Sequence, residues 1–253
     1  MFYQKSKYTY QPDSRQPFKL SRSKIDAFLK CPRCFYLDRR FGIGQPPGFP
    51  FTLNSAVDAL LKKEFDAHRA AATQHPLMEH YGVNAKPFDH PNMNTWRENF
   101  EGIRYHHQPT NFIVFGAIDD IWINSQGELH IVDYKATAKE GEISLNADWQ
   151  ISYKRQAEVY QWLFRRNDFK VSSIAYFVYV NGRKDLEAFD AKLEFDVHLL
   201  PYEGNDSWVE PTLMKIKQTL DSETIPPHSD ECEYCAYLKE LEKVREIDVL
   251  KQI

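Results

Sequence analysis

The sequence predicts an α/β protein in which a mixed central sheet is flanked by helices. Three observations lead to this class. Helical patterns fill the early part of the chain, two apolar strand patterns follow between Phe112 and Thr137, and a helical pattern at 151–166 leads into a further apolar strand pattern. A helix between two strands is typical of a crossover within one sheet, which favours a single α/β layer arrangement over separate all-α and all-β domains.

The composition is that of an ordinary globular protein with enough apolar residues for a sizeable core. The 253 residues are 42% hydrophobic and 14% aromatic, with a formal net charge of -4. A negative net charge does not by itself indicate nucleic-acid binding. A site for a nucleic acid would therefore have to be a local basic groove. The chain has no apolar run of membrane-spanning length and no signal-peptide core, from which we expect a cytoplasmic protein without membrane contact.

The predicted domain organisation is simple. Residues 1–19 are polar and contain proline, so we expect a flexible arm. Residues 20–253 are expected to form one domain. Within it, residues 73–111 are rich in His, Pro and Asn and have weak periodicity. This composition predicts an irregular insertion or a small helical lobe that could cover a substrate.

Helical patterns precede the strands. Ser21 or Ser23 can cap a short helix that ends at Cys31, where a second amphipathic segment begins. Thr52 or Asn54 begins the next helix. The apolar residues that form its predicted core stripe are Val57, Leu60, Leu61 and Phe65.

The strand patterns between Phe112 and Thr137 are joined by a polar turn at Ser125-Gln126-Gly127. If all three turn residues form the loop, Asp119 faces Asp133 across the ladder. A two-residue turn would place Asp120 opposite Asp133 instead. The pattern of the residues leaves both registers open.

Charges inside these strands indicate a metal site. Lys135 follows Asp133 by two positions and therefore emerges on the same face. Two carboxylates and an ammonium on a half-buried sheet cost free energy unless a cation or a substrate offsets it. Oxygen ligands of this kind suit Mg²⁺, and a neighbouring lysine can orient a water and screen a phosphate. The alternative is a buried ion pair between Lys135 and one aspartate.

The D-x-K pattern by itself is not specific, because it also occurs at Asp168-Phe169-Lys170 and Asp190-Ala191-Lys192. Only Asp133-Tyr134-Lys135 ends an apolar strand and is followed by a helix with Gln156 and Tyr160 at i,i+4. We interpret the other two patterns as solvated charges.

The remaining chain predicts a helix, two strands and two more helices. The helix ISYKRQAEVYQWLFRR leads into VSSIAYFVYVNG, whose near-continuous apolar run is typical of a central strand. The alternating FDAKLEFDVHLL is expected nearer the sheet edge. The helical SWVEPTLMKIKQTLDS and a polar C-terminal helix complete the chain.

The chain resembles the PD-(D/E)xK nuclease superfamily, and within it the RecB-like exonucleases. The resemblance implies a restriction-endonuclease-like core. The segment from Gly116 to Asp119 is similar to the strand that supplies the first metal carboxylate, which favours Asp119 over Asp120. The match at 133–135 implies that Asp133 and the Tyr134 carbonyl bind the metal and that Lys135 is catalytic. The residues that resemble the helix bordering the active site and contacting DNA are Gln156 and Tyr160.

One position departs from the family pattern. RecB-like enzymes carry Gly-x-x-x-His on an early helix, where the His is a metal ligand, whereas this chain has Asn54 and Asp58 at the corresponding places. A carboxylate suits Mg²⁺ or Mn²⁺ at least as well as an imidazole does. We therefore expect Asp58 to be a metal ligand as well.

All four cysteines lie in two C-x2-C pairs, Cys31 with Cys34 and Cys232 with Cys235. Each pair can present two thiolates to one metal, and a shared site would join 31–34 to 232–235. This resembles the iron-sulfur clasp of cluster-bearing RecB-like nucleases, including AddB and the CRISPR-associated adaptation nucleases, although those usually place one cysteine early and three late. The resemblance implies a [4Fe-4S] cluster. The alternatives are structural Zn²⁺ and unligated cysteines.

The resemblance implies a Mg²⁺- or Mn²⁺-dependent deoxyribonuclease, an exonuclease on single-stranded DNA ends in repair, recombination or CRISPR adaptation, with a protein partner in a nuclease complex. The alternative is a catalytically silent nucleic-acid-binding or assembly subunit with the same fold. Basic side chains suited to the DNA backbone are Arg33, Arg39, Arg40, Lys154, Arg155 and Arg165.

Overall fold

The computed structural model describes residues 8–48 and 52–250, with the side chains of 246–250 excepted. The helices are α1 (Arg22–Lys30), α2 (Pro32–Phe41), α3 (Thr52–Ala70), α4 (Pro76–His80), α5 (Met93–Arg97), α6 (Ile151–Arg166), α7 (Val209–Asp221) and α8 (Glu233–Leu250). The strands are β1 (Phe18–Ser21), β2 (Ala85–Pro87), β3 (Ile103–His107), β4 (Phe112–Gly116), β5 (Asp120–Asn124), β6 (Leu129–Thr137), β7 (Ile174–Gly182) and β8 (Phe195–Glu203). The predicted α/β class is confirmed. No helix in the described ranges is long and apolar enough to cross a membrane.

The chain divides into two compact units where the sequence pattern predicted one domain. The first unit contains the described parts of 1–48, 106–113 and 210–253, and the second contains those of 49–105 and 114–209. Each unit is assembled from segments that are far apart in sequence. Local patterns carry no information on such assembly, which is why the division was not predicted.

The second unit is built on a mixed sheet of order β2-β5-β6-β7-β8. The pair β6 and β7 is parallel, whereas β5 with β6 and β7 with β8 are antiparallel. The crossover helix α6 makes the parallel pair possible, because two parallel strands need a long connection. The expectations of an interior strand at β7 and an edge strand at β8 are confirmed.

The hairpin of β5 and β6 has the register of the three-residue turn. Asp120 lies opposite Val132 and Trp122 lies opposite His130. Gly127 closes the turn with φ 73°, a conformation that glycine adopts without strain. The two-residue alternative is therefore wrong, because it would place Asp120 opposite Asp133.

The first predicted arm of the hairpin is not continuous. β4 ends at Gly116 and belongs to a different sheet of order β1-β4-β3, and β5 begins only at Asp120. Between them, the carbonyl of Ala117 accepts from the hydroxyl of Tyr160, and the carbonyl of Asp119 accepts from Nε of Arg97 at 3.0 Å. Side chains therefore take the place of ladder partners at the break.

The segment 73–111 is more regular than predicted. It supplies α4, β2, α5 and β3, and β2 extends the main sheet by pairing with β5. The short strand has only three residues, Ala85–Pro87, so its alternation is too brief to detect in the sequence. β2 is therefore part of the main sheet, and two short helices, α4 and α5, lie in the same segment.

The core of the second unit lies between α3 and the sheet. Phe65 is fully buried and stacks against Trp122, with ring centroids 5.4 Å apart. Burying such a side chain contributes about 1.5–3 kcal/mol. Val57 and Leu61 pack on the same cluster at helical spacing, but Leu60 is 63% exposed. Leu60 was wrongly included in the core stripe because it lies one residue off the i,i+4 line.

The predicted N-terminal arm also differs from the structure. Residues 1–7 lie outside the described residues. In the first unit, Tyr10 is 6% exposed and its hydroxyl donates to Asp221 Oδ1 at 2.6 Å. The end of the predicted arm, Phe18 and Lys19, belongs to β1. A buried aromatic residue and a strand thus tie down a segment whose composition is polar.

Candidate functional site

A cleft of about 450 Å³ opens in the second unit beside the first turns of α3 and the strand β6. Four of the predicted site residues line it, together with neighbours from α3, β6 and α6. The lining residues are Asn54, Ser55, Val57, Asp58, Asp119, Tyr134, Lys135, Ala136 and Tyr153. The structure therefore brings the early helix and the D-x-K strand to one place.

Asp119 lies directly before β5 and is held by the neighbouring strand. Its Oδ2 accepts from the main-chain N–H of Tyr134 at 2.9 Å, and 23% of its side chain remains exposed. Asp133 lies on β6, is 1% exposed and forms an ion pair with Lys135. Asp119 is thus the more accessible of the two carboxylates.

Lys135 is a partly buried cation beside both aspartates. Burial alone lowers the pKa of Lys135, but the charges of Asp133 and Asp119 outweigh it and raise the pKa above its ordinary value. The ammonium also lies 4.6 Å from the ring centroid of Tyr153. Lys135 therefore carries its positive charge throughout the neutral pH range.

Asp120 has a different environment from Asp119. It is fully buried and pairs with Arg69 and, at 3.2 Å, with Arg97. Its Oδ2 accepts from the hydroxyl of Tyr134 at 2.8 Å. Burial and the charge of Asp120 raise the pKa of Tyr134 well above its ordinary value, so this hydroxyl stays protonated and donates. Asp120 is consequently a structural carboxylate.

Asp58 reaches the same site from α3. Nζ of Lys62 lies 2.8 Å from Asp58 Oδ2 and 3.5 Å from Asp119 Oδ1. One ammonium thus contacts two of the carboxylates that were predicted to bind metal. Lys62 was missed by the sequence analysis, although its position four residues after Asp58 on a helix was a usable signal.

Gln156 and Tyr160 lie on α6 as predicted, but neither is among the residues that line the cleft. Tyr160 is 3% exposed, and its hydroxyl donates to the carbonyl of Ala117. It therefore fixes the chain two residues before Asp119. The cleft residue of α6 is Tyr153, one turn before Gln156, which the sequence analysis did not single out.

The cleft offers oxygen donors of the kind that a hard divalent cation prefers. The carboxylates of Asp58 and Asp119 line it together with Tyr134, whereas Asp133 is not a lining residue and pairs with Lys135. Among the described residues, these three aspartates do not form a close group of metal ligands as the four cysteines do. Oxygen donors of this kind favour Mg²⁺ or Mn²⁺ over metals that prefer sulfur. Lys62 and Lys135 offset part of the negative charge of these aspartates.

The four cysteines converge in the first unit. The sulfur atoms of Cys34 and Cys235 are 3.5 Å apart, those of Cys34 and Cys232 are 3.6 Å apart, and those of Cys31 and Cys235 are 3.8 Å apart. All four lie within 4.8 Å of one another. The two pairs therefore come together as one candidate site for a metal ion or cluster.

The protonation of these thiols is uneven. Burial raises the pKa of Cys31, but main-chain N–H groups of Cys34 and Ser229 outweigh burial and lower it to about 7. Burial raises the pKa of Cys34 to about 11. Hydrogen bonds from the backbone thus favour a thiolate at Cys31 before any metal binds.

The basic side chains that were predicted to contact DNA are distributed over both units. Arg39 pairs with Asp38 at 2.6 Å in the first unit, and Arg165 pairs with Asp206 at 2.5 Å in the second. Lys154 lies 5.7 Å from the ring centroid of Tyr202. Arg39 and Arg165 already have carboxylate partners and are therefore poor candidates for a phosphate contact.

The chain was compared with models of known protein families. The sequence model of the PD-(D/E)XK nuclease superfamily matches residues 19–239. No curated protein matches the chain. The matched range includes every residue that the sequence analysis assigned to the cleft or to the cysteine site.

Proposed function

We propose a function from the premise that this chain belongs to the PD-(D/E)XK nuclease superfamily. The proposed function is that of a metal-dependent deoxyribonuclease of the RecB-like type, which hydrolyses phosphodiester bonds. The observation that carries it is the convergence of Asp58, Asp119 and Lys135 on one cleft. The hairpin register supports Asp119, since the alternative carboxylate, Asp120, is buried among arginines.

The proposed metal ligands are the carboxylates of Asp58, Asp119 and Asp133 and the carbonyl of Tyr134. When bound, Mg²⁺ or Mn²⁺ lowers the pKa of a coordinated water and stabilises the charge that develops on phosphorus. The chain's own contribution is to hold these oxygens in place. The N–H of Tyr134 fixes the carboxylate of Asp119, and the carbonyl of Asp119 is fixed by Arg97.

Lys135 is proposed to act through its charge. Burial lowers the pKa of Lys135, but the charges of Asp133 and Asp119 raise it above the ordinary value, which favours the charged ammonium. A fixed ammonium beside Asp133 and Asp119 can bind a phosphate oxygen and orient the attacking water. Its position over the ring of Tyr153 limits the directions in which the ammonium can move.

Two predicted residues of α6 are proposed to support the site. Tyr160 holds the carbonyl of Ala117 and so positions the residues that lead into Asp119. Gln156 lies one turn before Tyr160 and is proposed to contact the substrate. Both roles rest on α6, the helix that connects the two parallel strands of the sheet.

Single-stranded DNA is the proposed substrate because an aromatic pair flanks the cleft. Trp149 is 59% exposed, and its ring lies edge-on to Tyr153 with centroids 5.4 Å apart. Tyr153 lines the cleft. Exposed aromatic rings of this kind stack on unpaired bases, which a duplex does not offer. We therefore propose an exonuclease that acts on single-stranded DNA ends. Its proposed setting is repair, recombination or CRISPR adaptation, together with a partner protein.

The test compares two lysines that both occur in D-x-K patterns. We expect the wild-type protein to degrade a labelled single strand with Mn²⁺ and Lys135→Ala to lose at least about 100-fold in rate. Lys170→Ala is the matched control, because Lys170 is 63% exposed and pairs with Glu128. Equal rates for wild type and Lys135→Ala would refute the assignment, since the observed cleavage would then come from a contaminant or another site.

A second candidate function is favoured by the position of Lys62. Its ammonium contacts both Asp58 and Asp119, where a metal would need the same oxygens. A protein that keeps this arrangement in solution would be a catalytically silent nucleic-acid-binding or assembly subunit. Retained affinity for single-stranded DNA without cleavage in Mg²⁺ or Mn²⁺ would favour this function over the first.

A further inference from the structure

The cysteine site has a size that distinguishes between metal groups. A single zinc ion bound by four thiolates has Zn–S bonds of about 2.3 Å, so the sulfur atoms lie at the corners of a tetrahedron with edges of about 3.8 Å. Three of the sulfur pairs are 3.5, 3.6 and 3.8 Å apart, and all four sulfur atoms lie within 4.8 Å of one another. These distances agree with the edges of a tetrahedron around one ion.

A [4Fe-4S] cluster needs a larger site. Each thiolate binds a different iron and points outward from the cluster. The cysteine sulfur atoms therefore lie roughly 6 Å apart. The four sulfur atoms of the chain all lie within 4.8 Å of one another. The observed arrangement therefore does not accommodate a cubane unless the two cysteine segments move apart.

The surroundings of the sulfur atoms also fit a closed structural ion. Cys31, Cys232 and Cys235 are buried and Cys34 is half-buried. Four thiolates fill all four positions of a tetrahedral zinc ion, as they do in closed structural sites. Cys31 and Cys34 lie at the start of α2, and Cys232 and Cys235 lie at the start of α8. Four thiolates around one divalent ion have a net negative charge. The N-terminus of a helix stabilises such a charge.

We infer that Cys31, Cys34, Cys232 and Cys235 bind one tetrahedral Zn²⁺ ion and not a [4Fe-4S] cluster. The ion would cross-link the start of α2 to the start of α8 within the first unit. Zinc has no redox chemistry, so this link is insensitive to electron transfer, unlike an iron-sulfur cluster. The inference concerns the first unit alone and does not depend on the proposed nuclease function.

The experiment is a metal analysis of the full chain, produced in cells supplied with both iron and zinc and purified without oxygen. We expect one zinc per chain, no acid-labile sulfide and a colourless protein. About four iron and four sulfide per chain, with a brown colour, would overturn the inference. A protein that contains neither metal would overturn it as well.

Two variants separate specific binding from zinc that is bound elsewhere. Cys34→Ser is expected to lower the zinc content at least tenfold after dialysis against a mild chelator. Tyr234→Ser is the control, because Tyr234 lies between Cys232 and Cys235 in the other C-x2-C turn of the site and is 43% exposed. Equal zinc content in both variants would contradict the assignment.

A measurement on the wild-type chain covers the case in which Cys34→Ser does not fold. Cobalt replacing zinc is expected to give the visible absorption of a tetrahedral thiolate site, and its removal should make four thiols reactive. Absence of that absorption would overturn the inference. These readouts are independent of DNA cleavage. An active nuclease with an iron cluster would refute this inference alone, and an inactive zinc protein would refute the proposed function alone.

Discussion

Asp119 and Asp120 are adjacent in sequence but have opposite environments. Asp119 lines the cleft with 23% of its side chain exposed, and its contacts are Lys62 and the N–H of Tyr134. Asp120 is fully buried, and its oxygens are bound by Arg69, Arg97 and the hydroxyl of Tyr134. Asp119 lies in the break before β5, whereas Asp120 is the first residue of that strand, so the two neighbours reach different surroundings.

The difference shows that the role of a carboxylate depends on its partners. A metal ligand needs oxygens that an incoming cation can reach, and the oxygens of Asp120 are already committed to donors. Arg97 links the two residues, because its Nε donates to the carbonyl of Asp119 at 3.0 Å and its Nη2 lies 3.2 Å from Asp120. The structural aspartate thus anchors the arginine that positions the candidate ligand.

The largest expected effect is on activity, from Asp119→Asn. The change removes one negative charge from the cleft and keeps the shape of the side chain, so metal binding should fail while folding is maintained. We expect the cleavage rate with Mn²⁺ to fall by at least about 1,000-fold, with an unfolding temperature close to that of wild type. Single-strand degradation and thermal unfolding would be measured on the same preparation. An Asp119→Asn protein that cleaves at the wild-type rate would exclude Asp119 from the site.

The second prediction concerns stability, from Asp120→Asn. This change leaves Arg69 and Arg97 buried without their shared carboxylate. Removing one partner of a buried ion pair typically costs about 3–5 kcal/mol. We therefore expect the unfolding temperature to fall by roughly 6–20 °C for a chain of this size. The Asp119→Asn and Asp120→Asn variants serve as controls for each other. An Asp120→Asn protein that is as stable as wild type but inactive would contradict the structural role of Asp120.

Local sequence patterns were sufficient for several elements. The hairpin and its turn were predicted, although the residues left two registers open, and the helix at 151–166 was predicted with its exact bounds. The apolar run at 171–182 predicted an interior strand, which is β7. These features depend on neighbours in sequence, because turn geometry and side-chain periodicity are local properties.

Contacts between distant residues were not predictable in the same way. The break between β4 and β5 depends on Arg97 and Tyr160, which are about twenty and forty positions away from their carbonyl partners. The burial of Asp120 depends on Arg69, whose charge in the sequence resembles that of any exposed arginine. The sequence therefore predicted four residues that line the cleft, but not the groups that hold them.

The smallest expected effect is on metal affinity, from Lys62→Met. If Asp58 and Asp119 bind Mn²⁺, the cation must displace an ammonium that lies 2.8 Å from one carboxylate and 3.5 Å from the other. Both side chains of the Asp58 pair are partly exposed, so the pair is worth about 1 kcal/mol at most. Removing the ammonium should therefore tighten Mn²⁺ binding by about five-fold.

Calorimetric titration with Mn²⁺ would measure this change, and Lys63→Met is the matched control because Lys63 is the exposed neighbour on the same helix. Tighter binding in Lys62→Met alone would mean that Lys62 competes with the metal for Asp119. Weaker binding would mean that Lys62 holds the carboxylates in position for it. Lys62 contacts Asp119, whereas the ion-pair partners of Asp120 among the described residues are Arg69 and Arg97. Tighter binding in Lys62→Met would therefore show that the competition concerns Asp119 and does not involve Asp120.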